Sequence, residues 1–396
     1  MSAFQQIRPR GDRYIWLLSG LLMLASTLLV YSATGSLAHR LRDSDTEYYL
    51  FRHIGVSAVG LLLMYFIHQI PYRFFGRIAQ LGWIPAVVLL LYTLLAGNEK
   101  NEASRWLEIP VLGSSFQSSE WARFAVVLFM ARSLSRCQNK LHDWKSVFLP
   151  LALPVGLTFL LIAPANLSSA ALLLVVVVLM LCVGRVRPKH LFVLILGAAL
   201  LVGTFVTVSY QFELFRSATW HNRMESWISG DRNKEPDQVT QARIAIVTGS
   251  WLGKGPGKST QRNFLPQAYN DFIYATLLEE YGIAGGATVC AFYLLLLLRV
   301  LMAIRRSMKP FGSLLAAGLA IMLMVQALAN MAVSVGLVPV TGQSLPLVSW
   351  GGTSVLFTCL SLGIILSVCR EAASDPYPEP AVEALPHSYQ PSMQPQ

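Results

Sequence analysis

From Gly253 to Gly285 the chain reads GKGPGKSTQRNFLPQAYNDFIYATLLEEYGIAG. Lys254, Lys258 and Arg262 recur at four-residue spacing, and Asp271 follows soon after Leu265-Pro266. A carboxylate can serve as a general base, and clustered basic side chains can hold an anion. Gly253, Gly255 and Gly257 free the backbone for close approach, so its amides could join the bases in cradling a diphosphate. The stretch closes a long polar segment and runs straight into an apolar helix. That puts the chemistry at a membrane edge, where a lipid-linked substrate would be met. Plainer readings stand beside this one. Glycine-rich loops are common, and Asp271 could be a helix-start acid stabilised by the macrodipole. Glu279 and Glu280 lie roughly two to three turns further in and should face a protein or water-filled interior, where they could partner buried arginines.

Two further clusters have the right types. Ser104-Arg105-Trp106 stands in one polar loop, and SSEWAR (118–123) opens an apolar span. Glu120 and Arg123 are three apart and share a helical face; the plain reading is a serine cap with a local ion pair. The segment PVTGQSLPLVSWGGT (339–353) has prolines and glycines but no charge. Such irregular backbone between two spans is tolerated where it lines a cavity.

The elements that must position these residues are membrane spans. Hydrophobic residues make up 54% of the 396 and charged residues 13%, where a soluble chain carries about 25% charge. Ten apolar blocks are long enough to cross about 30 Å of hydrocarbon: 14–33, 50–70, 78–96, 119–135, 147–163, 167–184, 190–209, 272–304, 313–337 and 351–369. The expected fold is an all-α polytopic membrane protein of ten transmembrane helices, with one large extracytoplasmic loop, about 210–270, between the seventh and eighth. Sixteen basic residues fall in the loops on one side and five in the short loops of the other, which places both termini in the cytoplasm. Residues 1–13 form the cytoplasmic N-terminus, 14–371 the membrane domain, and 372–396 a tail rich in Pro, Ser, Gln and Glu, expected to be disordered. The first span lacks a small-residue cleavage site and reads as a retained signal anchor. The net charge of +10 is then mostly topology and contact with anionic lipid, which argues against a nucleic-acid partner. Cys137, Cys182, Cys290, Cys359 and Cys369 fit no metal spacing, and none falls in an outer loop. There is no P-loop, GxSxG, HExxH or dinucleotide fingerprint.

Taken in order, SRW, QSSEWAR, GKGPGKSTQRNFLPQAYNDFIYATLLEEYG and LPLVSWGGTS resemble the SEDS family (shape, elongation, division and sporulation) of ten-span peptidoglycan polymerases. The resemblance runs from the first span to the tenth. YSATGSLAHR and TEYYLFRH are similar to the division branch, FtsW, in its Bacteroidetes-type form, while VTGQSLP resembles the elongation branch, RodA. The family implies a bacterial inner-membrane glycosyltransferase, active on the outer face. It would join lipid II, a disaccharide-pentapeptide on undecaprenyl diphosphate, into β-1,4 glycan strands. It implies Asp271 as the catalytic aspartate, a general base, since that residue falls in the LP-x-x-x-x-D-F motif. It implies Arg105, Trp106, Glu120, Lys254, Lys258, Gln261 and Arg262 as substrate-binding residues. It also implies a class B penicillin-binding protein transpeptidase and other divisome proteins as partners. A diphosphate leaves readily once its charge is neutralised, so one carboxylate base should suffice, where glycoside hydrolases usually need two. Carboxylates facing a diphosphate make Mg²⁺ or Mn²⁺ plausible, with no complete ligand set visible. Gln267, Tyr269 and Asn166 depart from the commoner Glu, His and Asp of the family. A flippase for the same lipid and a scaffold without catalysis are the rival functions.

Overall fold

The computed structural model describes residues 11–41, 46–96, 98–100, 103–109, 114–138, 144–212, 217–229, 237–265, 268–305 and 309–374. Each expected span is a helix: α1 (Arg13–Leu41), α2 (Thr46–Gln69), α3 (Tyr72–Ala96), α4 (Ser118–Arg136), α5 (Trp144–Ile162), α6 (Leu167–Val183) and α7 (Pro188–Gln211) before the large loop. After two loop helices, α8 (Ser217–Ser229) and α9 (Asp237–Gly249), come α10 (Ile273–Arg305), α11 (Pro310–Ser334) and α12 (Gly352–Ser374). By length and composition α1, α2, α3, α7, α10, α11 and α12 can each cross a membrane, and α5 and α6 carry shorter apolar runs. The chain is therefore a polytopic membrane protein. The tail from 375 onward and Gln267 lie outside the described residues.

The fold is helical as expected, and two features add to that reading. The second polar loop is a small antiparallel sheet, β1 (Asn98–Lys100), β2 (Ala103–Ile109) and β3 (Ser114–Gln117), in the order β1-β2-β3. β1 and β2 pair antiparallel with Lys100 opposite Ala103, and β2 contributes the strand formers Trp106 and Ile109. The large loop contains α8 and α9; α9 buries Ala242 and Ala245 at helical spacing against Leu265, Phe272 and Val333.

Local chemistry sets the turns. Asn166 caps α6, its side-chain oxygen accepting from the Ser169 amide at 3.1 Å. A cap needs an acceptor, not a charge, so Asn serves where the family more often has Asp. Asp12 caps α1 through the Tyr14 amide at 2.8 Å, and its other oxygen takes Arg299 of α10 at 2.5 Å. α11 sits at the centre against α10, α4, α6 and α12, whereas α7 lies at the edge against α6 and α8, with Phe205 on Phe159 of α5, and buries only Ser209 fully among its described residues.

The eighth span, long in the sequence, is kinked at Gly282 (φ 68°, ψ −171°). A helix continued through that point would bond the amides of Ile283 and Ala284 to the carbonyls of Glu279 and Glu280. Instead the amides donate to Ser250 and Trp251 (3.1 and 3.2 Å), and the carbonyls accept from Lys254 and Gly255 (2.9 Å each). The glycine-rich loop thus satisfies the four backbone groups that the kink frees, as a buried backbone requires. The approach is too close for a side chain: a Cβ on Gly253 (φ +80°) would stand 2.1 Å from the Glu280 carbonyl oxygen. Gly257 shares the left-handed backbone (φ +75°) but has open space around it. Gly253→Ala should lower the melting temperature well beyond Gly257→Ala, which pays only the ~1–2 kcal/mol backbone strain. Thermal unfolding in detergent measures both, and equal shifts would show that the kink does not depend on this contact.

Candidate active site

Asp271 lies in the turn just before α10, half-buried, with the buried Phe272 anchoring the turn behind it. The segment 269–271 is laced to the last loop. Trp350 donates its amide to the Tyr269 carbonyl at 2.9 Å, and Ser349 Oγ donates to the Asn270 carbonyl at 2.7 Å. The Tyr269 and Trp350 rings meet edge to face at 5.1 Å. Burial first, and then the negative charge of Asp271, push the Tyr269 phenol up, so it stays protonated at neutral pH. A Cβ on Gly342 (φ +64°) would lie 3.4 Å from Asp271 Oδ2, so the last loop passes close along the carboxylate.

Asn330 of α11 ties these parts to the bundle. Its Nδ2 donates to the Asp271 carbonyl (3.0 Å) and to the Gln343 carbonyl (2.7 Å). The Gln343 side chain in turn accepts from Arg123 Nη1 at 3.2 Å and donates to Ser169 Oγ at 2.7 Å. Arg123 and Glu120 are both buried on α4, and Glu120 sits beside Arg123, Thr353 and Ser354. The last loop is therefore a packed plug, with Leu345, Leu347, Val348 and Ser349 nearly inaccessible. Asn330 and Gln343 were not singled out from sequence. Their signal was an amide inside an apolar span and another inside a chargeless loop.

The basic run is paired with acids that lie far from it along the chain. Glu279, fully buried one turn before the kink, reaches back to Lys254 Nζ at 2.5 Å. It also accepts from Ser259 Oγ, from the Thr260 amide (3.0 Å) and hydroxyl (2.9 Å), and from the Gln261 amide (3.2 Å). Glu280, equally buried, accepts from Ser32 Oγ of α1 and from the Ser259 amide at 3.3 Å. Arg262 Nη1 donates to the carbonyl and hydroxyl of Ser32, both at 2.8 Å. A buried carboxylate must be paired and hydrogen-bonded, and folding supplies the acid that chain order hides. Lys258 is exposed on the same loop.

The structure thus brings Asp271, Asn330, Gln343, Arg123 and Glu120 into one network. It brings Lys254, Gln261 and Arg262 with Glu279, Glu280 and Ser32 into another. The segment 261–272 joins the two, held by Leu265, Ala268 and Phe272. The backbone of Arg105 and Trp106 lies on β2, while their side chains fall outside the described residues. Among the described residues no group of three His, Cys, Asp or Glu side chains could hold a metal.

The comparisons agree in extent. The sequence matches the cell cycle protein family of FtsW, RodA and SpoVE over residues 12–374. It is 34% identical to the probable peptidoglycan glycosyltransferase FtsW of Hydrogenovibrio crunogenus, covering 90% of this chain and 91% of that one. It is 31% identical to the FtsW of Geobacter sulfurreducens bearing the same description, covering 93% and 97%. The fold matches a chain from a peptidoglycan synthase complex that coordinates polymerization and crosslinking, at TM-score 0.73 and 25% identity, covering 92% and 99%. It also matches the rod shape determining protein RodA of Thermus thermophilus, at TM-score 0.65 and 24% identity, covering 92% and 98%. With this extent of match along both sequence and fold, the chain belongs to the FtsW/RodA/SpoVE family of cell cycle proteins.

Proposed function

We propose that this protein is a peptidoglycan glycosyltransferase that polymerises lipid II into β-1,4 glycan strands for septal wall synthesis. The observation that carries the reading is Asp271, held at the head of α10 by Asn330 and bordered by the last loop at Gly342. Asp271 acts as general base. It takes the proton of the acceptor sugar hydroxyl as that oxygen attacks the donor's anomeric carbon. The bond from that carbon to the diphosphate oxygen breaks, and the diphosphate leaves with the electron pair. Basic side chains neutralise the developing charge, which matters more here than protonating the leaving group. The elongation branch would use the same chemistry at a different cellular site.

The two networks divide the basic residues. Lys254 is committed to Glu279, so its part is to hold the loop. Lys258, exposed on the loop, and Arg105 from the sheet face the diphosphate, with Arg262, held on Ser32 through Nη1, turning its other amino group to it, and Gln261 and Trp106 border it. In this reading ten helices cross the membrane, α1–α7 and α10–α12. The termini are cytoplasmic, and the 210–270 loop and the active site are on the outer face. A class B penicillin-binding protein transpeptidase and other divisome proteins are the partners, by analogy with the synthase complex that the fold matches. A Mg²⁺ or Mn²⁺ ion would find one carboxylate at Asp271 and would draw its other ligands from substrate phosphates and water.

The flippase alternative needs intramembrane charge available for transport. Glu279 is instead paired to Lys254, Arg299 to Asp12, and Arg123 to the last loop through Gln343.

Three outcomes test the proposal in proteoliposomes supplied with lipid II and the partner. Asp271→Asn should cut glycan polymerisation by about 10²–10⁴-fold while leaving the melting temperature unchanged; full activity would remove the assignment, and transport without polymer would favour the flippase. Lys254→Met and Lys258→Ala should separate. The first leaves the Glu279 carboxylate uncompensated and lowers stability by roughly 3 kcal/mol. The second keeps stability and lowers kcat/KM by about tenfold to a hundredfold. The reverse pattern would exchange their roles. EDTA should abolish turnover and Mn²⁺ or Mg²⁺ restore it; turnover unaffected by chelation would exclude the dissociable ion.

A further inference from the structure

α8 has three faces of different chemistry. Ser226 is buried, and Arg223 on the same side donates to the Val340 carbonyl at 3.2 Å, so this side packs on the protein. Met224, Trp227 and Ile228 recur at helical spacing and are exposed, Ile228 to 70%. Asn222 and Glu225 are also exposed: Asn222 is turned about 120° or more from each of these three, and Glu225 lies about 60° from Ile228 at the edge of the apolar side. A helix in water would bury the apolar side against its own protein. Here a serine and an arginine face inward and the tryptophan faces outward.

The neighbour of α8 shows what covers that side. α7 is its adjacent helix; no residue of its apolar window is fully buried, and Phe192, Leu196 and Leu200 are exposed, so that side of α7 faces lipid while Leu194 and Phe205 pack on the core. Its 24 residues span about 36 Å, more than the ~30 Å of hydrocarbon. Trp220 of α8 stacks on Phe205 of α7 at 5.8 Å, and His221 on Tyr210 at 4.7 Å. Phe205 lies about 9 Å before the end of α7. The start of α8 is therefore level with the last turns of a lipid-facing helix, and its exposed apolar side continues that surface.

We propose that α8 is an interfacial helix lying in the outer leaflet. Met224, Trp227 and Ile228 sit among acyl chains, Asn222 and Glu225 sit in water, and Ser226 and Arg223 rest on the protein. Tryptophans of this kind favour the headgroup boundary. Through Arg223 and Val340, the leaflet-seated helix is tied to the loop that runs past Asp271 at Gly342. The inference rests on the membrane fold and on the outer placement of the 210–270 loop, and stands apart from the polymerase reading.

The test is spin-label accessibility in full-length protein reconstituted without partner into phosphatidylethanolamine–phosphatidylglycerol vesicles. Cys137, Cys182 and Cys290 are not buried and are first changed to Ser; Cys359 and Cys369 are buried and stay. Labels are then placed at Ile228→Cys and Asn222→Cys. The label at 228 should collide readily with oxygen and poorly with a water-soluble nickel chelate, and the label at 222 should show the opposite preference. Nickel access at 228 equal to that at 222 would put the apolar side in water and overturn the proposal. Shielding of 228 from both reagents would mean that a second copy of the chain covers it, which would overturn it equally.

Discussion

A kink in a buried helix strands hydrogen-bonding groups that must find other partners, and the architecture around α10 follows from that constraint. The kink at Gly282 releases two amides and two carbonyls, and the loop 249–255 takes all four. The loop can enter only because Gly253 and Gly282 have no side chain to collide. Once seated, it brings Lys254 to Glu279 and Ser259 to both buried acids. That arrangement fixes the direction of the segment that ends at Asp271. The backbone of the kink, the buried ion pair and the placement of the carboxylate are therefore one structural problem with one solution.

The same constraint explains which basic residues remain for chemistry. A carboxylate inside the membrane region is costly unless it is paired. Glu279 takes Lys254 and four further donors, and Glu280 recruits Ser32, which also receives Arg262. A motif that looks like a phosphate cradle thus spends its first glycine and first lysine on holding itself down. On the other side, Asn330 and Gln343 do for the last loop what the acids do for the glycine loop. They convert irregular backbone into a packed wall beside Asp271.

Much of this was legible in the sequence. Apolar runs are a strong signal because their length is set by bilayer thickness, and each of the ten became a helix. Asp271 and the segments that flank it were legible through their order along the chain. What escaped was long-range pairing. Lys254 and Glu279 are twenty-five residues apart, and only the kink brings them together. Gln343 meets Arg123 across two hundred and twenty residues, with no local pattern to announce it. α8 was hidden because it is inside out: Trp220, Met224, Trp227 and Ile228 have helical spacing, but a polar loop gave no reason to expect an apolar face. The sheet at 98–117 was missed because two short strands fall below the length at which alternation can be read.

The central claim is that a single carboxylate on the outer face activates the acceptor while Lys258 and Arg262 hold the diphosphate. A structure of the protein with its partner and a non-cleavable lipid II analogue tests it most directly. The account expects the acceptor hydroxyl within ~2.6–3.2 Å of the Asp271 carboxylate and the phosphonate or phosphate oxygens against Lys258 and Arg262, with the Lys254–Glu279 pair intact. Phosphate oxygens seated on Lys254 with Glu279 displaced, or an acceptor hydroxyl remote from Asp271, would contradict it.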